Sequence, residues 1–175
     1  MLQHRGRIFQ NTEWIDQAEE CNVEAIRRFD LAGDQSEIFK PVMNLGNIYL
    51  LREDYQAAIS QYKKAMPHFQ DHQYIIDLAF TYNNLGLAYT GLKEWQAAED
   101  YFSASINIWQ TMGVNYKLVN VLDNLGSLFI KTKENEKARQ RLTQALEILD
   151  EQAESSEMLR LRNVILNRLS QINDA

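Results

Sequence analysis

Apolar residues recur along this chain at spacings of three and four, and the same pattern returns after a longer interval. Ile38, Val42, Leu45, Ile48 and Tyr49 share one side of a helix predicted over 37–51, the spacing of an amphipathic stripe. Asp34 and Glu37 form a candidate capping box for that helix. Pro41 fits only within a first turn, which would start the helix later than Glu37. A second stripe, Ala58, Tyr62, Ala65, Met66 and Phe69, follows Arg52-Glu53-Asp54 and predicts a second helix after a tight turn. No stretch alternates with period two, so the expected fold class is all-α.

The longer interval is 40 residues. Gly6, Gly46, Gly86 and Gly126 are spaced by it, as are Ala18, Ala58, Ala98 and Ala138. Three apolar columns share the register: Ile38, Leu78, Leu118 and Met158; Ile26, Met66, Ile106 and Leu146; and Phe29, Phe69, Trp109 and Leu149. A period between roughly 20 and 50 residues marks a repeat array, in which stacked neighbours supply the core that one helical pair cannot bury alone. Glycine within a helix costs roughly 1 kcal/mol relative to alanine. Its return at one register position predicts backbones in close approach, and the small residues Ala25, Ala65, Ser105 and Ala145 predict the same on the second helix.

The motifs resemble the tetratricopeptide repeat, whose pattern is W-x2-L-G-x2-Y followed by A-x3-F. Here the first part reads Val42-x2-Leu45-Gly46-x2-Tyr49, Tyr82-x2-Leu85-Gly86-x2-Tyr89 and Leu122-x2-Leu125-Gly126-x2-Phe129. The second reads Ala58-x3-Tyr62, Ala98-x3-Phe102 and Ala138-x3-Leu142. The resemblance implies a right-handed α-solenoid of stacked helix-turn-helix repeats. The unit is about six residues longer than the common form and lacks its closing proline. With its Asn-Leu-Gly triplet it is similar to the variant of spindle-orientation scaffolds, bacterial signalling ATPases and transcriptional regulators. The predicted organisation is one array: a partial or degenerate repeat over 1–35, repeats over 36–75, 76–115 and 116–153, and a capping helix over 154–175. Arg5 and Asn22 depart from the pattern in the first repeat, so the chain reads as a segment of a longer protein or as an array with a degenerate start.

Composition narrows the function. A net charge of −6 argues against nucleic acid, whose binding needs clustered Lys and Arg. No apolar run reaches bilayer length, the polar N-terminus lacks a signal-peptide core, and the lone Cys21 cannot form an internal disulfide. The expected protein is soluble and cytoplasmic. His68 and His72, beside Asp71, stand at metal-ligand spacing, but they fall where a helix end and loop are expected. No nucleophile, acid–base pair or cofactor motif emerges, and the chain is read as a non-enzymatic scaffold or adaptor without cofactors.

By resemblance, the first helices line a concave groove that takes a peptide or helix of another protein. The positions implied are Arg7 and Gln10, then Met43, Asn44, Asn47 and Leu50, then Asn83, Asn84, Leu87 and Thr90, and finally Asp123, Asn124, Ser127 and Lys131. Asn44, Asn84 and Asn124 form a ladder of amides, each offering donor and acceptor to an extended backbone. Gln3, Met43, Asn83 and Asp123 occupy the column where chaperone-tail adaptors carry a lysine, so that function is not expected. Trp14 and Trp95, near the inter-helix turns, are candidates for a second contact surface. The repeat edges also suit pairing of two copies. The alternative reading is a structural or regulatory segment of a larger signalling or transcription protein, contacting its own neighbouring domains.

Overall fold

A computed structural model of the chain describes residues 2–34, 37–70, 74–151 and 155–173, with the side chains of all of these except 2–12, 70 and 173. All described secondary structure is helical. The elements are α1 (Leu2–Ala32), α2 (Phe39–Leu51), α3 (Tyr55–Ala65), a 3-10 turn (Met66–Gln70), α4 (Ile75–Gly91), α5 (Trp95–Met112), α6 (Asn115–Lys131), α7 (Asn135–Asp150) and α8 (Ser156–Asn173). They fall into two compact units, Met1–Tyr74 and Ile75–Ala175. The first packs the unbroken α1 on one helix-turn-helix pair and the second stacks two such pairs with α8, within the all-α solenoid class expected.

The pairs α2–α3, α4–α5 and α6–α7 repeat one packing solution. A Cβ added to Gly46 would lie 2.6 Å from the ring of Tyr62, one on Gly86 2.6 Å from the ring of Phe102, and one on Gly126 2.6 Å from Leu142 Cδ2. The helix glycine therefore makes room for a side chain of the partner helix and not, as the periodicity suggested, for its backbone. Tyr62, Phe102 and Leu142 are each fully buried. The second small column has its own use: Ser105 is buried and its hydroxyl donates to the carbonyl of Ala79, 2.8 Å away.

The turns within these pairs share a left-handed residue that is not glycine, Glu53, Lys93 and Lys133, at φ 60°, 61° and 64°. Each sits in a Schellman arrangement, with Asp54 N–H bonded to the Tyr49 carbonyl, Glu94 to Tyr89 and Glu134 to Phe129,. Asp54 also caps α3 by accepting from Ala57 N–H at 3.2 Å,. In α1 the corresponding turn is absent, and the helix runs unbroken through Trp14, which occupies the register position of Asp54, Glu94 and Glu134.

Two boundaries differ from the sequence reading. The second-repeat helix starts at Phe39, with Ile38 at the N-cap position and no side-chain cap, so Asp34 and Glu37 do not cap it. Pro41 then lies in the first turn, where its missing N–H has no helical partner to lose. Pro67 converts the end of the next helix to a 3-10 turn, because the ring cannot donate into the α ladder,. Met66 and Phe69 therefore fall in that turn, although Phe69 remains core and packs edge-on to Phe39 at 5.4 Å.

Candidate functional site

In the N-terminal unit, α1 lies against α2 through polar contacts. Arg52 pairs with Asp16 and Glu19, and Glu19 also accepts from the Tyr49 hydroxyl. The Arg52 guanidinium holds the Glu19 carboxyl below its ordinary range, while burial and Glu19 push the Tyr49 phenol up. Asn44, though exposed, donates to Asn22 Oδ1 at 3.1 Å, and Asn47 Oδ1 accepts from the Tyr62 hydroxyl at 2.8 Å. Both amides therefore serve internal bonds. Met43 and Leu50 are half-buried. Arg7 and Gln10 lie outside the residues whose side chains are described.

The C-terminal unit brings more of the expected positions together. Asn124 donates to Asn83 Oδ1 at 2.9 Å, and Asn83 donates to Asn84 Oδ1 at 3.1 Å, so amides of α4 and α6 form a chain. They line an open cavity of about 290 Å3 together with Phe80, Trp109, Tyr116, Lys117, Asn120 and Val121. Phe80 and Trp109 meet edge to face at 5.2 Å. The Lys117 ammonium stands 4.9 Å from the centroid of Phe80 and 5.0 Å from that of Tyr116. Asn120 donates to the Tyr116 carbonyl at 2.8 Å.

Phe80, Trp109, Tyr116, Lys117, Asn120 and Val121 lie outside the positions the sequence assigns to the groove, although a signal for them exists. Phe80 and Asn120 precede Asn84 and Asn124 by four, and Lys117, Asn120 and Asn124 follow the three-and-four rule on α6,. Trp109 was assigned to the core, and it is buried as expected while one part of its ring borders the cavity.

Leu87, Thr90 and Ser127 are half-buried outside this cavity and Lys131 is exposed, with the Thr90 hydroxyl donating back to the Gly86 carbonyl at 2.8 Å. Asp123 departs from the mapping. It is 6% exposed, because α8 packs on α6 and brings Arg168 Nε within 3.3 Å of its Oδ1. That oxygen accepts no aligned hydrogen bond. Burial pushes the Asp123 carboxyl above its ordinary range against the opposing pull of Arg168. Asp123 is thus a structural contact to the last helix and not a groove position.

Other candidates reduce to structure. His68 stacks on Phe39 at 5.9 Å, and His72 and Asp71 lie outside the described residues. Among the described residues no group of three His, Cys, Asp or Glu could hold a metal ion, and no helix is long and apolar enough to cross a membrane. Trp14 is exposed and Trp95 borderline.

Helical pairs carrying this motif, with a cavity on their first helices, define a helical-repeat protein. The repeats are tetratricopeptide repeats: models of that family match residues 77–151 and 41–66. Among curated proteins none matches the chain. Solved structures share its fold at low identity. BtubC (BKLC) from P. vanneervenii aligns with TM-score 0.75 and 18% identity over 94% of this chain and 70% of its own. The apo form of RapI aligns with TM-score 0.81 and 17% identity over 98% of this chain, which spans only 61% of RapI. A TPR-like protein from Chlorobium tepidum aligns with TM-score 0.61 and 16% identity over 77% of this chain and 94% of its own.

Proposed function

We propose that the chain is a protein-interaction module that takes an extended segment of a partner along the first helices of its repeats, with the cavity of the C-terminal unit as principal contact. The observation that supports this reading is the amide chain Asn84–Asn83–Asn124 at the edge of an open cavity that also presents aromatic surface. Amides supply both donor and acceptor to a peptide backbone irrespective of its sequence, and the rings supply apolar contact. The test is affinity capture with wild type and with Asn84→Ala/Asn124→Ala, after circular dichroism has shown both folded. A protein retained by wild type and lost by the double variant supports the reading; equal retention of every captured protein removes it.

A second reading rests on α1, where Trp14, Val23 and Leu31 are exposed apolar residues on one helix. In that reading the module contacts neighbouring domains of its own protein, or a second copy, through α1. Loss of a captured protein on Trp14→Ala/Leu31→Ser, with the asparagine variant silent, would favour it.

A further inference from the structure

The charge at the cavity is the least expected feature of the C-terminal unit. Positions 37, 77, 117 and 157 form one register column, and they read Glu37, Asp77, Lys117 and Glu157. Two repeats border the cavity, one with Asp77 at that position and the other with the column's one cation, Lys117. Lys40 is neutralised in place by Glu37, and Lys137 by Glu134 and Glu99, while Lys64, Lys93, Lys131 and Lys133 are exposed to solvent and Lys117 is half-buried. Lys117 has no carboxylate within ion-pair distance among the described residues, and its ammonium stands over the rings of Phe80 and Tyr116. The Tyr116 hydroxyl meanwhile engages Glu157 of α8.

An ammonium held against two ring faces is partly stripped of water and fixed in direction. A half-buried cation without a counter-ion gains more from an incoming anion than a fully solvated one does, because the local dielectric is lower. Beyond Lys117, Asn120 and Asn124 continue along the same face of α6 for seven residues, or roughly 10 Å of helix,. That length spans about three residues of extended chain. A segment lying there would pass its backbone over the amides and one side chain over the ammonium.

We propose that the cavity of the C-terminal unit selects a carboxylate side chain, an Asp or Glu within the partner's extended segment, with Lys117 as its counter-ion. This rests on the groove reading above. It adds a specificity element, since the asparagines read backbone irrespective of sequence whereas Lys117 reads one side-chain charge. The position differs from the column of Gln3, Met43, Asn83 and Asp123, so a terminal carboxylate is not required.

The test is selection of a random 12-residue peptide library, displayed with its C-terminus fused so that only side chains supply carboxylates. It is run on wild type, Lys117→Gln, Lys117→Glu and Asn84→Ala/Asn124→Ala. Circular dichroism and melting first establish that each variant is folded; should Lys117→Glu fail there, Lys117→Gln carries the comparison. The expected result is Asp or Glu enriched at one fixed position on wild type. Lys117→Gln should lose that preference and weaken a selected peptide about tenfold, the range of one charge-assisted hydrogen bond. Lys117→Glu should turn it towards Lys or Arg. Peptides that depend on the asparagines but show no acidic preference, or keep it on Lys117→Gln, overturn this proposal and leave the groove reading standing. Peptides indifferent to both sets of variants, or no selected peptides at all, overturn both.

Discussion

Helices α1 and α5 carry the same register and end with very different burial. Ala98, Phe102, Ser105, Ile106 and Trp109 of α5 are all buried, and Ala18, Asn22, Ala25, Ile26 and Phe29 of α1 stand in the same columns yet none is buried. The reason is neighbours: α5 packs between α4 and α6, whereas the described part of α1 packs chiefly on α2. The sequence has adjusted to that. Asn22 stands where α5 has Phe102, and Arg52, Glu19, Asp16 and Tyr49 hold α1 by charge and hydrogen bonds. A repeat pattern therefore states what a helix can bury, and the number of helices beside it decides what is buried.

The largest effect should come from truncating the two column mates. Phe102→Ala should cost about 3–5 kcal/mol in chemical denaturation, as removal of a fully buried ring does. Asn22→Ala should stay within about 0.5 kcal/mol, the range of surface changes. Similar losses at both positions would break the comparison.

Next in size is Gly86→Val, which drives a branched side chain into space already filled by the Phe102 ring. An overpacking cost of about 1–3 kcal/mol is expected, read as a lower melting temperature. An unchanged melting temperature would mean that the ring, not the glycine, yields freely.

The smallest effect is confined to α1 and appears in acid. The folded Glu19 carboxyl lies below its ordinary value of 4.5. Its contribution is therefore complete above that value and is lost as the pH falls through the lower folded one. Asp123 has the opposite sign. Its folded value is raised above 3.8 by burial, so the cost of its buried charge disappears on acidification. Amide signals followed by NMR from about pH 7 to about pH 3 should show α1 loosening before α5 and α6. Glu19→Gln should remove that early transition, and a common midpoint for all three helices would contradict it.

Much of the architecture was legible because it is periodic. Gly46, Gly86 and Gly126, with Tyr62, Phe102 and Leu142 sixteen residues on, locate the paired helices from the sequence alone. Less legible was anything that depends on ends. The continuity of α1 through Trp14 and the burial of Asp123 beneath α8 arise where a repeat lacks its usual neighbour or gains an atypical one. The cavity was legible only in part: Asn83, Asn84 and Asn124 were in the register mapping, while Phe80, Trp109, Lys117 and Asn120 come from three helices and meet only on folding.

The glycine–ring contact also restricts the paths by which this chain can change. Position 86 cannot gain an atom while Phe102 fills the space, and position 102 cannot shrink without opening a hole beside Gly86. Either single step loses stability, so a different pair is reached only through a weakened intermediate or by two changes at once. Replacing the ring with a branched aliphatic does not open the way, since Leu142 sits as close to Gly126 as Phe102 does to Gly86. The glycine is held in place by two barriers, one on each side, and not by any liking of helices for glycine.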